Sequence, residues 1–154
     1  MEIDLADIKI RTADVNDLSA LSAFRGNTAD DQYFWLQRIG GYLNATYHPQ
    51  QALPKRVIFA SEYKDSLIGW IAGHLTRRYD CQGELQWLDV QPEFRFAGVA
   101  SALLTQLMLW FQQNGAARIC VNCAPDNNAA LAFYRKNGAQ QLNDHWLVWP
   151  DIEK

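Results

Sequence analysis

The side chains best placed for chemistry lie where an apolar strand runs into a helix, at Leu88-Asp89-Val90-Gln91-Pro92-Glu93-Phe94-Arg95-Phe96-Ala97-Gly98-Val99-Ala100. Gly98 stands at the loop–helix junction, where a backbone without Cβ can approach a ligand closely. The first N–H groups of a helix have no internal partner. With the helix dipole they form an anion site suited to a pyrophosphate. No charged side chain occurs from Phe96 to Ala117, so no carboxylate in the first turn competes for that site, and Arg95 adds a cationic donor. The plainer reading of the same residues is a tight turn before a buried helix. The segment is not a Walker loop, because no Gly-Lys-Ser/Thr follows, and it lacks the second and third glycines of a dinucleotide fingerprint.

The surrounding elements must hold this junction in place. Alternation marks a strand at 8–11. A helix follows, capped by Thr12 or Asp14, with Leu18, Leu21 and Phe24 on one face and Gly26-Asn27 at its end. A second helix is expected over 30–44, although Gly40-Gly41 weakens it. Residues 48–55, with Pro49 and Pro54, read as a loop. Strands are expected at 56–63, 67–76 and 83–90, antiparallel because they are close in sequence. Pro92 stops the third, since proline has no donor for the ladder. A strong helix over 99–114 ends at Gly115, a buried strand covers 118–122, a helix covers 127–137, and strands at 140–142 and 145–148 close the chain as a hairpin. This order predicts an α/β (α+β) fold: a mixed, mostly antiparallel sheet of six to seven strands with helices on both faces.

Downstream, Asn127-Asn128-Ala129-Ala130-Leu131-Ala132-Phe133-Tyr134-Arg135-Lys136-Asn137-Gly138 forms a second block. The two blocks together resemble the GNAT superfamily of N-acetyltransferases. Arg95-x-x-Gly98-x-Ala100 is similar to that family's acyl-CoA loop, Gln/Arg-x-x-Gly-x-Gly/Ala, and the second block is similar to its Asn-rich helix start with Phe-Tyr and a terminal Gly. The likeness covers 84–139, and the element order extends it to the whole chain. Ala139 departs from the usual aromatic after Gly138, Ala100 replaces the second glycine, and the amino-terminal third matches in element order only.

The resemblance implies acetyl-CoA as cosubstrate and direct transfer of its acetyl group to a primary amine in a ternary complex. It implies contacts to CoA from Leu88, Val90, Arg95, Phe96, Ala97, Gly98, Val99, Ala100 and Asn127, with the Val90 N–H as oxyanion donor. Glu84, eleven positions before Arg95, stands where the family often carries its general base. A solvated strand-end carboxylate is the alternative. Asp89 is the second candidate, since an unpaired carboxylate inside an apolar strand is costly. Alternate strand positions face opposite ways, so Glu84 and Asp89 share a face only if a bulge intervenes; the family places one there. The resemblance makes Tyr134 the general acid for the CoA sulfur, against a core tyrosine beside Leu131 and Phe133. Asn127 could equally be a helix cap.

The remaining features narrow the function classes. Cys120-x-x-Cys123 does not open a helix as a redox pair does, and two thiols alone make no zinc site, so the cysteines read as buried and inert and no metal is expected. His48, His74 and His145 read as ordinary surface or core residues. Trp35, Trp70 and Trp87 could line an acceptor pocket, with core packing as the default. The chain has 154 residues, a length suited to one domain over 1–154. Three cysteines fit a reducing cytoplasm, the acidic start is unlike a signal peptide, and no apolar run would span a membrane. Net charge −3 disfavours nucleic acid as a partner. The acidic excess lies in residues 1–31, with seven acids against three basic side chains, which suggests a small cationic amine as acceptor. A protein N-terminus or lysine is the second acceptor class, a homodimer is allowed for, and a non-catalytic acyl-CoA sensor is the rival from another class.

Overall fold

The computed structural model describes residues 3–153; Met1 and Glu2 of the acidic start lie outside them. Its elements run β1 (Lys9–Thr12), α1 (Leu18–Ala23), α2 (Ala29–Leu43), β2 (Ala52–Tyr63), β3 (Ser66–Thr76), β4 (Gly83–Val90), α3 (Val99–Gln113), β5 (Ile119–Asn122), α4 (Asn128–Lys136), β6 (Gln140–Asn143) and β7 (Trp146–Trp149). The seven strands form one sheet in the order β1-β2-β3-β4-β5-β7-β6. Every pairing is antiparallel except β4 with β5. That one parallel pair is connected through α3, as parallel neighbours require a crossover.

Each face of the sheet is covered. Val57, Phe59, Ile71 and Leu85 point to the side of α3 and α4, where Leu103, Leu107, Phe111, Leu131 and Tyr134 meet them. Ile58, Ala60, Trp70, Ala72 and Trp87 point to the side of α1 and α2, against Leu21, Ile39 and Tyr42. α3 carries no charged residue and buries Val99, Leu103, Leu104, Leu107 and Phe111 along one stripe.

The expected loop over 48–55 is shorter than predicted, because β2 begins at Ala52 and carries Pro54 inside it. Two features make room for the proline. A register irregularity separates the Ala52 and Arg56 pairings with β3, and β1 pairs only with residues 59–62 of β2, so Pro54 lies on an edge where no donor is called for. Short 3-10 turns also escaped the pattern, at Leu5–Asp7, Val15–Asp17, Arg78–Asp80 and Pro92–Phe94. They are too short to carry a hydrophobic period.

α3 crosses β3 and β4 closely. A Cβ at Gly83 would sit 2.6 Å from Phe111 Cε1 and 2.7 Å from Ile119 Cδ1. Overpacking of this kind costs about 1–3 kcal/mol. Gly83→Ala should therefore lower the urea unfolding midpoint with an unchanged slope; an unchanged midpoint would show that α3 can move away from the sheet freely.

Candidate active site in the split sheet

β4 and β5 are joined by three residue pairs, Gly83↔Ile119, Glu84↔Cys120 and Leu85↔Val121, and no pairing between them continues beyond Leu85. From Gln86 to Val90 the β4 backbone is bonded on the β3 side while its other edge faces no strand. A cleft of about 670 Å³ opens along this split. Residues 84–89 form one wall; Val121, Asn122, Cys123 and Ala124 at the end of β5 form the other, with Asn127, Ala130 and Tyr134 from the α4 side. An unpaired strand edge offers N–H and C=O groups to an extended ligand.

The expected bulge is present. His74 faces Glu84 and Gly73 faces Leu85, but Ala72 faces Trp87, so Gln86 is an extra residue in β4. Beyond it Trp70 faces Asp89. His74, Ala72 and Trp70 share one face of β3, and their partners Glu84, Trp87 and Asp89 are thereby brought to one face of β4.

The two carboxylates differ in what holds them. Asp89 is clamped by Arg25, from the α1–α2 connection: Nε lies 2.9 Å from Oδ2 and Nη2 3.3 Å from Oδ1. Burial raises the Asp89 carboxyl above its ordinary range, and Arg25 opposes that shift. Glu84 is 4% exposed rather than solvated. Arg78 donates from Nε to its Oε1 at 3.0 Å, and His74 Nε2 lies 3.7 Å from the same oxygen. Oε2 accepts no hydrogen bond from the described residues, and Glu84 lines the cleft. Glu84 thus has one tethered and one open oxygen, whereas Asp89 has both engaged.

Tyr134 is a wall of the cleft and not only a core ring. Its hydroxyl bonds to none of the described residues, and burial, with Cys123 and Asp89 nearby, pushes its ionisation above the ordinary value. It therefore keeps its proton through neutral pH. Asn127 does cap α4, its side chain accepting from the Ala130 N–H at 3.2 Å, and it also lines the cleft.

At the α3 start, Gly98 adopts φ 89° as the N-cap and no side chain caps the helix. The first intrahelical bond is Ala102 N–H to Gly98 carbonyl, which leaves the N–H groups of Val99, Ala100 and Ser101 without a helical partner. No acid lies in the first turn. Arg95 and Phe96 are exposed beside it, Ala97 and Ala100 are half-buried, and Val99 is in the core. Leu88 and Val90, both half-buried, end β4 just before this loop. These donors and the open β4 edge suit a ligand with a diphosphate and an extended arm.

Two expectations change, for the amino-terminal acids and for His74, and one is refined. The amino-terminal acids do not line the cleft among the described residues: Asp17 is paired with Arg11 at 2.8 Å, Asp14 caps a turn, and the cleft receives Arg25, a cation, from that segment. Trp70 and Trp87 pack in the core with Trp35 against them, as the default reading had it, while Trp87 also lines the cleft; all three surround the Arg25 guanidinium, 5.2–5.9 Å from their centroids. His74 is no ordinary core residue; it stands fully buried beside Glu84, with Tyr42 Oη 2.8 Å from its Nδ1. Sequence spacing offered no signal for His74, because only the β3–β4 register makes it a neighbour of Glu84. Arg25 and Arg78 were missed for the same reason.

Comparison with known proteins agrees with this fold. The model of the acetyltransferase (GNAT) family matches residues 24–139. Among solved structures, the PaiA N-acetyltransferase of Thermoplasma acidophilum, in complex with coenzyme A, superposes with TM-score 0.72 at 16% identity, covering 93% of this chain and 98% of that one. An N-acetyltransferase of Staphylococcus aureus gives 0.63 at 20% identity over 92% and 93% of the two chains. A chimera of the Vibrio cholerae spermidine N-acetyltransferase gives 0.65 at 15% identity over 94% and 95%.

Gly98→Glu would set a carboxylate at the α3 start. Its Cβ would lie 3.1 Å from the half-exposed Leu5, and the φ of 89° would strain it at a cost of about 1–3 kcal/mol, which lowers the melting temperature. CoA binding measured by calorimetry should be lost while the thermal transition remains cooperative; retained affinity would remove the loop from the CoA site.

Proposed function

Because the chain belongs to the GNAT acetyltransferase family, matched over residues 24–139, we propose that it moves the acetyl group of acetyl-CoA to a small primary amine by direct transfer. One observation carries this reading: Glu84, with one carboxylate oxygen unbonded, and Tyr134, with its hydroxyl unbonded among the described residues, both line the cleft where β4 leaves β5. Acetyl-CoA supplies the thioester; the CoA-bound neighbour from Thermoplasma acidophilum supports the choice of donor.

A primary amine must lose a proton to attack, and a lysine-like amine holds it with a pKa of about 10.4. Glu84 Oε2 takes that proton, directly or through one water. Arg78 holds Oε1, so the carboxylate turns its free lone pairs to the cleft. Asp89 serves by fixing Arg25 and the tryptophans of the wall. The Val90 N–H, at the end of the open strand, faces the negative charge that develops on the carbonyl oxygen. Tyr134 delivers its proton to the departing sulfur; its raised ionisation keeps that proton in place until then. The charged residues lining the cleft are Arg25, Arg78, Glu84 and Asp89, which balance. The acceptor is therefore selected by a reactive amine and by fit rather than by a second positive charge.

Acetyl-CoA consumption over pooled small amines, read by product mass, should show turnover above hydrolysis. Saturable acetyl-CoA binding with no turnover on small amines or on peptide amines would favour a sensor. Tyr134→Phe should lower kcat about a hundredfold with little change in CoA affinity; an unchanged kcat would end the general-acid role. Glu84→Gln should lower kcat by a similar factor and remove the acid limb of the pH–rate profile, since the amide cannot take up the proton.

A further inference from the structure

His74 sits at the centre of a row that crosses three strands. Arg56 on β2, His74 on β3 and Glu84 on β4 are direct cross-strand neighbours. The imidazole is fully buried, and so is Tyr42, which reaches it from α2 with Oη 2.8 Å from Nδ1. The other ring nitrogen, Nε2, is sealed from solvent and has no hydrogen-bond partner among the described residues. It lies 3.7 Å from Glu84 Oε1. A buried polar nitrogen without a partner costs free energy, so its position calls for an explanation.

Tyr42 can serve either tautomer, and the carboxylate beside Nε2 selects between them. Burial pushes the phenol's ionisation well above its ordinary value, so it remains a neutral O–H group. When it donates to Nδ1, the ring proton sits on Nε2 and faces the Glu84 carboxylate. The other tautomer would set the Nε2 lone pair against a carboxylate oxygen, a repulsive arrangement. Arg56 stabilises the phenol's place in turn: its guanidinium stacks on the Tyr42 ring at 4.8 Å and donates to the Tyr42 and Tyr47 carbonyls.

We infer that His74, held by Tyr42 with its proton on Nε2, is a positioning residue for Glu84: with Arg78 it draws Oε1 back and leaves Oε2 aimed at the acceptor amine. The inference rests on Glu84 being the base. At 3.7 Å the Nε2–Oε1 contact is longer than a hydrogen bond, and the Nε2–H dipole acts on the negative charge of the carboxylate. Filling the cleft with substrates excludes water and strengthens it, as catalytic contacts that are long in a free enzyme tighten in the complex. The other titratable and charged groups facing this pair are Tyr42 from α2, Arg56 from β2, Arg78 from the turn before β4, and the Cys81 and Cys120 thiols on the β5 side.

The test combines imidazole ¹⁵N spectra of the whole protein with pH–rate profiles at saturating acetyl-CoA. The spectra should show the His74 ring proton on Nε2. His74→Leu should lower kcat by about tenfold to a hundredfold with CoA affinity unchanged. It should also move the acid limb to higher pH, because a donor that favours the charged carboxylate has gone. His74→Gln, which can place an amide N–H near the old Nε2, should recover most of the rate. Tyr42→Phe should shift the limb in the same direction. A proton found on Nδ1 would overturn the inference, as would an unmoved limb in folded His74→Leu and Tyr42→Phe proteins. If His74→Leu fails to fold, Tyr42→Phe and the spectra decide. Glu84→Gln separates the two readings: a limb that survives it removes Glu84 as base, whereas a limb that it abolishes but the His74 and Tyr42 variants leave in place removes only the positioning role.

Discussion

The parting of β4 from β5 after three residue pairs is the constraint on which the rest depends. A parallel pair of strands normally continues, because each unmade ladder bond leaves a donor and an acceptor to be satisfied elsewhere. Here the ladder stops at Leu85, and the next residue, Gln86, is the extra residue of a bulge against β3. Bulges bend a strand and increase its local twist. The bend carries the carboxyl half of β4 away from β5 and leaves its edge facing the cleft. The same strand then runs through Val90 into the loop that presents Gly98 and the uncapped start of α3.

The bulge also sets the electrostatics. In a regular strand Glu84 and Asp89 would face opposite sides of the sheet. One added residue puts both on the side of α1 and α2, where each meets an arginine: Arg78 at Glu84 and Arg25 at Asp89. The pairs are not equivalent. Arg25 engages both oxygens of Asp89 and is braced by three tryptophans, so that pair acts as a fixed wall. Arg78 engages one oxygen of Glu84 and leaves the other free. A carboxylate held at one end and open at the other is oriented and still able to accept a proton.

Much of the frame was legible beforehand. The α3 segment read as a helix because its apolar residues recur with a helical period and Gly115 follows. Strands β3 and β4 ended where Thr76 and Val90 end them, since turn residues and Pro92 interrupt the pattern. Pro54 misled, because its place on an unpaired edge depends on how short β1 is. Residues 1–31 misled in another way. Their acids are net charge along the chain, but in space Asp17 is consumed by Arg11, and the residue that reaches the cleft is Arg25.

The sequence by itself determined the local features: a strand that stops at Pro92, a glycine at the start of a helix free of charge, and an Asn that caps the helix bearing Tyr134. These follow from neighbours within a few positions, where propensity and missing backbone partners act. Only the tertiary structure decided which side chains meet. His74 and Glu84 are ten positions apart, Tyr42 and His74 thirty-two, Arg25 and Asp89 sixty-four, and strand register and helix packing alone bring them within reach. A carboxylate's chemistry is set by its contacts across a few ångströms. The difference between a clamped Asp89 and a half-open Glu84 therefore lay beyond any reading of spacing along the chain.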